Sequence, residues 1–394
     1  MIGGHRKGLR TWLLAAVAGT TALLPAACSS IGSTVGGGPG QGKTVILPRQ
    51  VLNVVWRVGL VDSDVFSSKF QHRGTPAVSP DGSRLVVGAS DGTISCLRSQ
   101  DGALLWRKRV EGPTDSEALI ENGVVYLAAA NGNALTYRLK DGKLLWQTTL
   151  PGPGAARPVV TGDKLLVMTT VNELVCLRKN DGKWLWSHKR SFRSDRFKVL
   201  GAARPLVVGD VVYGGFSDGQ MVKLDLKDGS VLQSRQLVKG GATFADVDVD
   251  PVMVGGSLLT GSASGGVLAL DPATLEQRWN YDIDAPSDLA VEGNRVFVTG
   301  GDGSVACLQA GNGKEVWKVN PDQEGLLSAP VIASGGWLLV SSEDVSLLVF
   351  HRPTGTRVQV FNPGKGASAP PAVWKNRAFW VSNGETVYAM AISR

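Results

Sequence analysis

Three carboxylates alternate within one short stretch of the chain, where their spacing could create a binding site. Asp246, Asp248 and Asp250 are separated by single valines. Successive side chains of a strand point to opposite faces, so all three carboxylates would share one face of an extended segment. Such a face could hold a cation or dock against a partner, and it could equally be the solvated end of a strand.

The other reactive residues lack the partners that catalysis or metal binding requires. The four histidines are scattered at positions 5, 72, 188 and 351, and the chain contains no H-E-x-x-H, C-x-x-C or G-x-S-x-G motif. Those motifs supply zinc ligands, a redox pair or an activated serine. The sequence therefore predicts no catalytic residue, no metal site and no cofactor.

A repeated phrase identifies the elements that must position these carboxylates. An Asp-Gly or Asn-Gly pair is followed by Trp four residues after the glycine, as in Asp101-Gly102 and Trp106. Weaker copies have Gln in place of Trp or an altered turn pair. The anchor positions are 56, 106, 146, 186, 233, 279, 317 and 359. Intervals of 38 to 50 residues between anchors indicate a repeat architecture.

Each repeat contains four short apolar runs, rich in Val, Leu and Ile and separated by turn pairs. The Asp-Gly and Asn-Gly pairs favour tight hairpins, because glycine and Asn or Asp accept positive φ. After position 50, no segment shows a sustained helical stripe of apolar residues. Four antiparallel strands in a unit of about 40–45 residues are typical of a propeller blade.

The two ends of the repeat region complement each other. Seven complete units run from about residue 75 to residue 362, the last segment supplies three strands, and the strand around Trp56 has no unit before it. We therefore predict an all-β fold, an eight-bladed β-propeller of four-stranded antiparallel blades. It would be closed by pairing the N-terminal strand with the C-terminal blade, which removes sheet edges that invite aggregation.

Two residue types are predicted to be structural within this ring. A Trp at one fixed place per blade can pack between adjacent sheets and bury a large area. Cys96, Cys176 and Cys307 occupy one equivalent position in three different blades. They should therefore lie too far apart to form disulfides, and we interpret them as small buried side chains.

The N-terminal segment resembles a bacterial lipoprotein signal. A basic start is followed by an apolar stretch at 12–24, too short to span a membrane, and by small residues before Cys28. In such a signal Cys28 is lipidated; Pro25 stands where an aliphatic residue is usual, and simple secretion is the alternative. We predict that 1–28 are the signal, 29–48 a flexible Gly/Ser-rich tether, and 49–394 the propeller.

The charge of the chain does not indicate a nucleic-acid partner. The net charge of +7 is modest for 394 residues, part of it lies in the first ten residues, and no run of five basic residues occurs. A nucleic-acid-binding surface usually shows a basic patch or stripe.

The arrangement of strands and turns resembles the PQQ-like propeller repeat family over essentially the whole chain. That family includes quinoprotein dehydrogenases and lipoproteins of the BAM complex, the outer-membrane β-barrel assembly machinery. The length, the lipoprotein signal and the N-terminal closure are similar to the lipoproteins. This resemblance implies a non-catalytic scaffold, lipid-anchored at the periplasmic face of the outer membrane, that assists assembly and insertion of β-barrel proteins. Ser29 after the cysteine, by resemblance to lipoprotein sorting, also favours the outer membrane.

The same resemblance implies a partner site in two long connections between blades. In the lipoproteins, two such connections bind the POTRA domains of the assembly subunit BamA; other BAM subunits and nascent outer-membrane proteins are further partners. Carried over to this chain, the site comprises Phe197, Val199 and Leu200 in one connection and Asp246 and Asp248 in the other. Leu200 stands where the family has Arg.

Two alternatives accompany this interpretation. A PQQ-dependent dehydrogenase of the same repeat family would bind its quinone with adjacent cysteines and a calcium site, and no two cysteines of this chain are adjacent. Another periplasmic protein-binding propeller would share the architecture without the assembly partner.

Overall fold

The computed structural model describes residues 49–61, 74–114, 117–191, 203–238, 246–321 and 325–393. The chain divides into two units, 1–45 and 46–394, and every described residue belongs to the second. Within the described residues the regular elements are all β-strands. None of these residues forms a helix with the length and apolar character needed to cross a membrane.

The strands form eight antiparallel sheets of four strands, each of which is one blade. The first strand of the chain is β1 (Leu52–Gly59). Blades 1 to 4 follow as β2 (Ala77–Val78), β3 (Arg84–Gly88), β4 (Thr93–Arg98), β5 (Leu104–Arg109); β6 (Leu119–Glu121), β7 (Val124–Ala128), β8 (Asn133–Arg138), β9 (Leu144–Thr149); β10 (Val159–Thr161), β11 (Lys164–Met168), β12 (Glu173–Arg178), β13 (Trp184–Lys189); β14 (Leu206–Val208), β15 (Val211–Gly215), β16 (Gln220–Asp225), β17 (Val231–Gln236).

The second half of the chain continues in the same order. Its strands are β18 (Val249–Val254), β19 (Ser257–Ser262), β20 (Gly266–Leu270), β21 (Gln277–Tyr281); β22 (Ala290–Glu292), β23 (Arg295–Thr299), β24 (Val305–Gln309), β25 (Glu315–Val319); β26 (Val331–Ala333), β27 (Trp337–Ser342), β28 (Ser346–His351), β29 (Thr356–Phe361); β30 (Ala372–Trp374), β31 (Arg377–Val381), β32 (Thr386–Ile392). The predicted all-β, eight-bladed propeller is confirmed.

Blade 8 closes the ring with strands from both ends of the chain. Its strand order is β30-β31-β32-β1, so the N-terminal strand is its outer edge. The pairing runs antiparallel from Leu52 opposite Ile392 to Gly59 opposite Thr386. The predicted closure by the N-terminal strand is therefore confirmed, and it leaves no blade incomplete.

The first strand of each blade lies innermost and the fourth lies at the outer edge. Strand β2 contacts the first strands of both neighbouring blades, β6 and β30, and β26 likewise contacts β22 and β30. The apolar core is divided into eight clusters, one at each seam between neighbouring blades. Burial between blades, rather than within one sheet, thus holds the ring together.

The anchor Trp of a blade binds the next blade around the ring. Trp106 packs its ring on Gly142, where an added Cβ would lie 2.7 Å from the indole, and its Nε1 donates a hydrogen bond to the carbonyl of Leu139 at 2.8 Å. Gly142 also has a φ of 67°, which glycine adopts at little cost. The same pairs occur as Trp56–Gly102, Trp146–Gly182, Trp186–Gly229, Trp279–Gly313 and Trp317–Gly355. The predicted packing of Trp between blades is confirmed.

A β-bulge precedes the anchor position in all eight blades. In blade 3, Cys176 faces Trp186 while the next residue, Leu177, faces Trp184, so Leu185 is the extra residue. Equivalent register shifts occur in the other seven blades. A bulge bends the strand and increases its twist, which aims the anchor at the next blade and makes the outer edge a poor template for another strand.

The three cysteines of the propeller are the cross-strand neighbours of anchor residues. Cys96, Cys176 and Cys307 face Trp106, Trp186 and Trp317 across the third and fourth strands of their blades. All three are free and buried. Burial raises the pKa of the Cys96 thiol to about 11 and that of Cys176 to about 12, so these thiols stay protonated at neutral pH and act as small apolar groups.

Candidate functional site at the channel mouth

The alternating carboxylates lie where the chain starts blade 5. Only Asp250 belongs to strand β18, whereas Asp246 and Asp248 precede it. Asp246 is buried, with 2% of its surface exposed, and Asp248 is partly buried. The three carboxylates therefore differ in burial, and the pairing of β18 with β19 is irregular between Val249 and Val252. Pro251, which has no N–H to donate, lies within that irregularity.

Asp248 and Asp250 line a cavity at one mouth of the central channel. The cavity has a volume of about 320 Å³, and Arg157, Arg204 and Asp288 share its wall. A second cavity of about 420 Å³ is lined by the inner strands of blades 2 to 6 and shares the two arginines. The lining residues come from the starts of five consecutive blades, which places the cavities on the axis side of the ring.

A charged residue recurs at one structural position of these five blades. The position lies two residues before the regular pairing of the first strand begins, and it is commonly followed by proline. Blades 7, 8 and 1 have uncharged residues there. From blade 2 to blade 6 the residues are Glu117, Arg157, Arg204, Asp250 and Asp288. Sequence reasoning missed this half-ring, although the recurring X-Pro pairs before inner strands were a usable signal.

Ion pairs and hydrogen bonds link these charges from blade to blade. Arg157 Nη1 lies 2.6 Å from Glu117 Oε1, and Arg204 Nη2 lies 3.0 Å from Asp250 Oδ2. The backbone N–H of Arg204 also donates to Asp250 Oδ1. The backbone N–H of Asp250 in turn donates to Asp288 Oδ1 at 2.7 Å. These charge-assisted bonds join blade 2 to 3, 4 to 5 and 5 to 6.

The mouth carries more acidic than basic groups. Two guanidinium groups, of Arg157 and Arg204, face four carboxyl groups, those of Glu117, Asp248, Asp250 and Asp288, so full ionisation would leave an excess of two negative charges. Asp248 Oδ1 is buried and makes no hydrogen bond to the described residues. The site is therefore suited to receive a positively charged group.

The pKa values of the mouth carboxyls reflect this environment. Burial raises the pKa of Asp248 to about 7, and the charges of Asp246 and Asp288 add to the increase. Burial also raises the pKa of Asp250, and repulsion from Asp288 adds to it, although Arg204 opposes the change. Burial raises the pKa of Asp288 as well. Asp288 is exposed at the mouth, but the surrounding protein limits how well solvent stabilises its charge.

The structure brings together only part of the site that the sequence suggested. Asp248 lines the channel mouth and Asp246 is buried two residues before it, whereas Phe197, Val199, Leu200 and Cys28 lie outside the described residues. The described residues contain no group of three or more His, Cys, Asp or Glu side chains that could hold a metal ion.

The ends of the two long connections meet at this site. The connection at 192–202 leads to Arg204 in blade 4, and the connection at 239–245 leads through Asp246 to Asp250 in blade 5. Arg204 and Asp250 form both a side-chain ion pair and a backbone hydrogen bond. The residues that follow the two connections are therefore held side by side where the inner strands of blades 4 and 5 begin, as a composite binding surface requires.

Comparison with protein families identifies similar sequences. A family model described as outer membrane protein assembly factor BamB matches residues 53–141, 128–317 and 301–393. BamB of Escherichia coli K12 is 28% identical over 100 residues, which are 25% of this chain and 26% of that protein. BamB of Yersinia pestis is 25% identical over 145 residues, 36% of this chain and 37% of its own. These alignments thus span between a quarter and two fifths of the curated relatives.

Solved structures with the same fold belong to more than one functional class. BamB from Moraxella catarrhalis superimposes with a TM-score of 0.74 at 19% identity, covering 87% of this chain and all of the other. Quinohemoprotein alcohol dehydrogenase from Comamonas testosteroni gives a TM-score of 0.68 at 12% identity, covering 86% of this chain and 76% of the enzyme. At these identities the likeness establishes the propeller fold alone.

Proposed function

Because this chain belongs to the BamB family of outer membrane protein assembly factors, we propose that it is a non-catalytic scaffold of the BAM complex. It would bind the POTRA domains of a BamA-like subunit and assist assembly and insertion of β-barrel proteins, alongside other BAM subunits. One observation carries the proposal: Arg204 and Asp250, which follow the two connections, pair with each other, and the expected partner residues lie in the first connection and directly after the second.

The docking surface proposed here consists of the connections 192–202 and 239–245 with the residues that follow each. Phe197, Val199 and Leu200 would supply apolar contacts, and a few such residues usually dominate the energy of an interface. Asp248 is the more accessible of the two expected acids, so it would supply the charge. Asp246 is buried, so it would stabilise the conformation of the connection and would not contact the partner.

The same proposal includes attachment to the outer membrane. Cys28 would carry the lipid, and residues 29–48 would tether the propeller on the periplasmic side. A chain of 20 Gly/Ser-rich residues has a root-mean-square reach of about 25 Å. The propeller would therefore remain close to the membrane surface while it contacts its partner.

Affinity capture from solubilised envelopes tests the docking surface. The variant Phe197→Glu/Val199→Glu places two charges in the expected apolar contact. We expect it to recover at least about tenfold less of the POTRA-containing subunit than the unmodified chain, because loss of a hot spot typically costs about 2 kcal/mol or more, and about 1.4 kcal/mol already lowers affinity tenfold. The subunit is quantified by mass spectrometry.

A matched control separates this effect from general damage. Val316→Glu/Val360→Glu adds two charges at exposed positions of outer strands in blades 6 and 7 and should leave recovery unchanged. Normal recovery by a folded Phe197→Glu/Val199→Glu chain would show that the docking surface lies elsewhere.

An enzymatic function is the second candidate, because quinohemoprotein alcohol dehydrogenase shares the propeller fold with this chain. The repeat alone does not separate the two, since the fold is common to both. Quinone-dependent alcohol oxidation after addition of PQQ and Ca²⁺ would support the enzyme, whereas capture of the assembly subunit supports the scaffold.

A further inference from the structure

One turn of blade 4 contacts the residues that flank both long connections. Residues 215–219 lead from β15 to β16, and we call them the blade 4 turn. The first connection, 192–202, leaves blade 3 and enters blade 4, whereas the second, 239–245, leaves blade 4 and enters blade 5. The contacts of this turn therefore bear on how the two connections are held relative to each other.

The second connection is bound to the blade 4 turn through the backbone. The N–H of Leu237, which precedes this connection, donates to the carbonyl of Gly219 at 2.8 Å. The N–H of Val247, which follows it, donates to the carbonyl of Phe216 at 3.2 Å. Backbone bonds of this kind recur in other blades, so they belong to the propeller repeat.

The first connection is joined to the same turn by a side-chain ion pair. Arg190, which precedes this connection, donates from Nε to Oδ2 of Asp218 at 2.5 Å. The other oxygen of Asp218 accepts the N–H of Gln220 within its own turn. Where the connection returns, Ala203 packs on Gly215, at which an added Cβ would lie 3.2 Å from the Cβ of Ala203. The blade 4 turn thus contacts residues at all four ends.

Arg190 is an exception to the propeller repeat. It lies four residues after the anchor position, where each of the other seven blades has Leu, Val, Ile or Pro. Those residues are Leu60, Val110, Leu150, Leu237, Ile283, Pro321 and Pro363. Five of them pack in the apolar clusters between blades. An apolar residue therefore serves the fold at this position, and a cation stands there only where the first connection begins.

The ion pair is poorly suited to a purely stabilising role. Only 22% of the Arg190 side chain and 12% of the Asp218 side chain are exposed. The cost of removing two charges from water offsets much of their attraction, and apolar residues often replace such a pair without loss of stability. At the two equivalent places, blades 1 and 2 have Val110 and Asn131. The repeat thus contains an uncharged version of this contact.

A second side chain of blade 3 also reaches the blade 4 turn. Asn172 stands where five other blades have a turn glycine, and it keeps a positive φ of 63°. Its Oδ1 accepts the N–H of Ser217 at 3.0 Å, and its carbonyl accepts the N–H of Arg190 at 3.0 Å. The start of the first connection is therefore linked to the blade 4 turn at two points.

We propose that Asp218 is a positioning residue of the docking surface. By binding Arg190 it fixes where the first connection leaves blade 3, while the turn that contains it binds the second connection. The two connections would then be presented to a partner as one surface, which lowers the cost of ordering them on binding. This inference rests on the proposed function, because that proposal assigns docking to the two connections.

An uncharged replacement of the pair separates positioning from folding. The variant Arg190→Val/Asp218→Asn recreates Val110 and Asn131 of blades 1 and 2, so the fold should be retained, which urea denaturation verifies. In affinity capture it should recover about two- to tenfold less of the POTRA-containing subunit, because binding must then order the first connection. Unchanged recovery by the folded variant would overturn the proposal.

Two further variants accompany this capture experiment. Arg190→Lys keeps a charge-assisted bond to Asp218 and should restore most of the recovery; a loss as large as that of the uncharged variant would contradict the role of the pair. Asp302→Asn/Lys318→Val removes an ion pair of 3.2 Å from the equivalent turn of blade 6, and it should leave recovery unchanged. An equal loss there would show a general effect of charge removal.

The distance between the two connections reports positioning without a partner. Nitroxides are attached to Ser194→Cys and Ala242→Cys, one in each connection, in a chain that also carries Cys28→Ser. The native propeller cysteines are buried and should not react. Double electron–electron resonance should give a broader distribution of label distances after Arg190→Val/Asp218→Asn is introduced. The same distribution with and without this change would refute the positioning role of Asp218.

The docking and the positioning can fail independently. If the unmodified chain captures no POTRA-containing subunit, the proposed function is refuted, and the label distances alone decide whether Asp218 fixes the connections. If the unmodified chain captures the subunit and Arg190→Val/Asp218→Asn changes neither the recovery nor the label distances, the positioning role alone is refuted.

Discussion

Asp248 is placed where its charged form is costly. Its carboxylate is surrounded by protein, has the negative groups Asp246 and Asp288 nearby, and leaves Oδ1 without a hydrogen bond to the described residues. A buried acid in such surroundings binds its proton more tightly in the folded chain than in the unfolded chain. The side chain thus weakens the fold near neutral pH unless a cation reaches it.

The higher pKa of Asp248 in the folded chain predicts that the stability of the fold depends on pH. The pKa of Asp248 is about 7 in the folded chain and about 3.9 in the unfolded chain. The stabilising contribution is complete below pH 3.9 or so and is lost as pH rises toward 7. The free energy of unfolding of Asp248→Asn, relative to the unmodified chain, should increase by about 1–3 kcal/mol from pH 4 to pH 8. Urea denaturation at both pH values measures it, and parallel curves for the two proteins would contradict the prediction.

At the scale of the element, the seam between blades 4 and 5 departs from the others in two linked ways. Gln233 replaces the anchor Trp and donates from Nε2 to the carbonyl of Thr274 at 2.6 Å. Leu275, fully buried, replaces the turn glycine and keeps a positive φ of 58°. The leucine therefore stands where an indole would otherwise rest, so the two substitutions complement each other.

A double-mutant cycle tests this complementarity. Gln233→Trp should destabilise the fold by about 1–3 kcal/mol through overpacking against Leu275, and Leu275→Gly should cost about 2–4 kcal/mol through loss of a buried side chain. The double variant recreates the Trp–Gly pair, so it should be more stable than the sum of the single changes by about 1–3 kcal/mol. Chemical denaturation of the four proteins gives the coupling, and additive costs would show that the two positions are independent.

The elements could be predicted more completely than the site. Asp-Gly turns and apolar runs define hairpins through local backbone preferences, so the blade count and the closure by the strand around Trp56 were accessible from sequence. The half-ring of Glu117, Arg157, Arg204, Asp250 and Asp288 was not, because those residues are about 40 positions apart and approach only when the ring closes. The burial of Asp246 beside the more accessible Asp248 and Asp250 could not be predicted from the alternation of the three acids alone.

At the scale of the whole molecule, the last seam is closed by a side chain suited to a free chain end. Gln359 of blade 7 accepts hydrogen bonds from the N–H groups of Val51 and Leu52 at 2.7 and 2.8 Å. Its Nε2 donates to the carbonyl of Leu52 at 3.2 Å. A Trp could only donate one such bond, whereas an amide matches both the donors and the acceptor of an extended segment.

Removal of the Gln359 hydrogen bonds should weaken the attachment of strand β1 to the ring. Gln359→Ala is expected to lower the free energy of unfolding by about 1–3 kcal/mol and to accelerate amide hydrogen exchange in β1 and β32. Gln233→Ala, at the same position of blade 4, is the matched control because its partner is a turn within the ring. It should leave exchange in β1 unchanged; similar acceleration by both variants would argue against a special role for Gln359.

The unidirectional seams impose an order of events on a chain made from its N-terminus. Each anchor binds the blade that follows it, so every partly synthesised ring has one anchor side chain, an indole in most blades, that still lacks its partner. Strand β1 is made first and pairs with β32, some 330 residues later. At about 5–20 residues per second, that delay lasts on the order of tens of seconds. Closure of the ring therefore waits for the C-terminal strand, and a chain truncated before β32 keeps both an unpaired first strand and an open last seam.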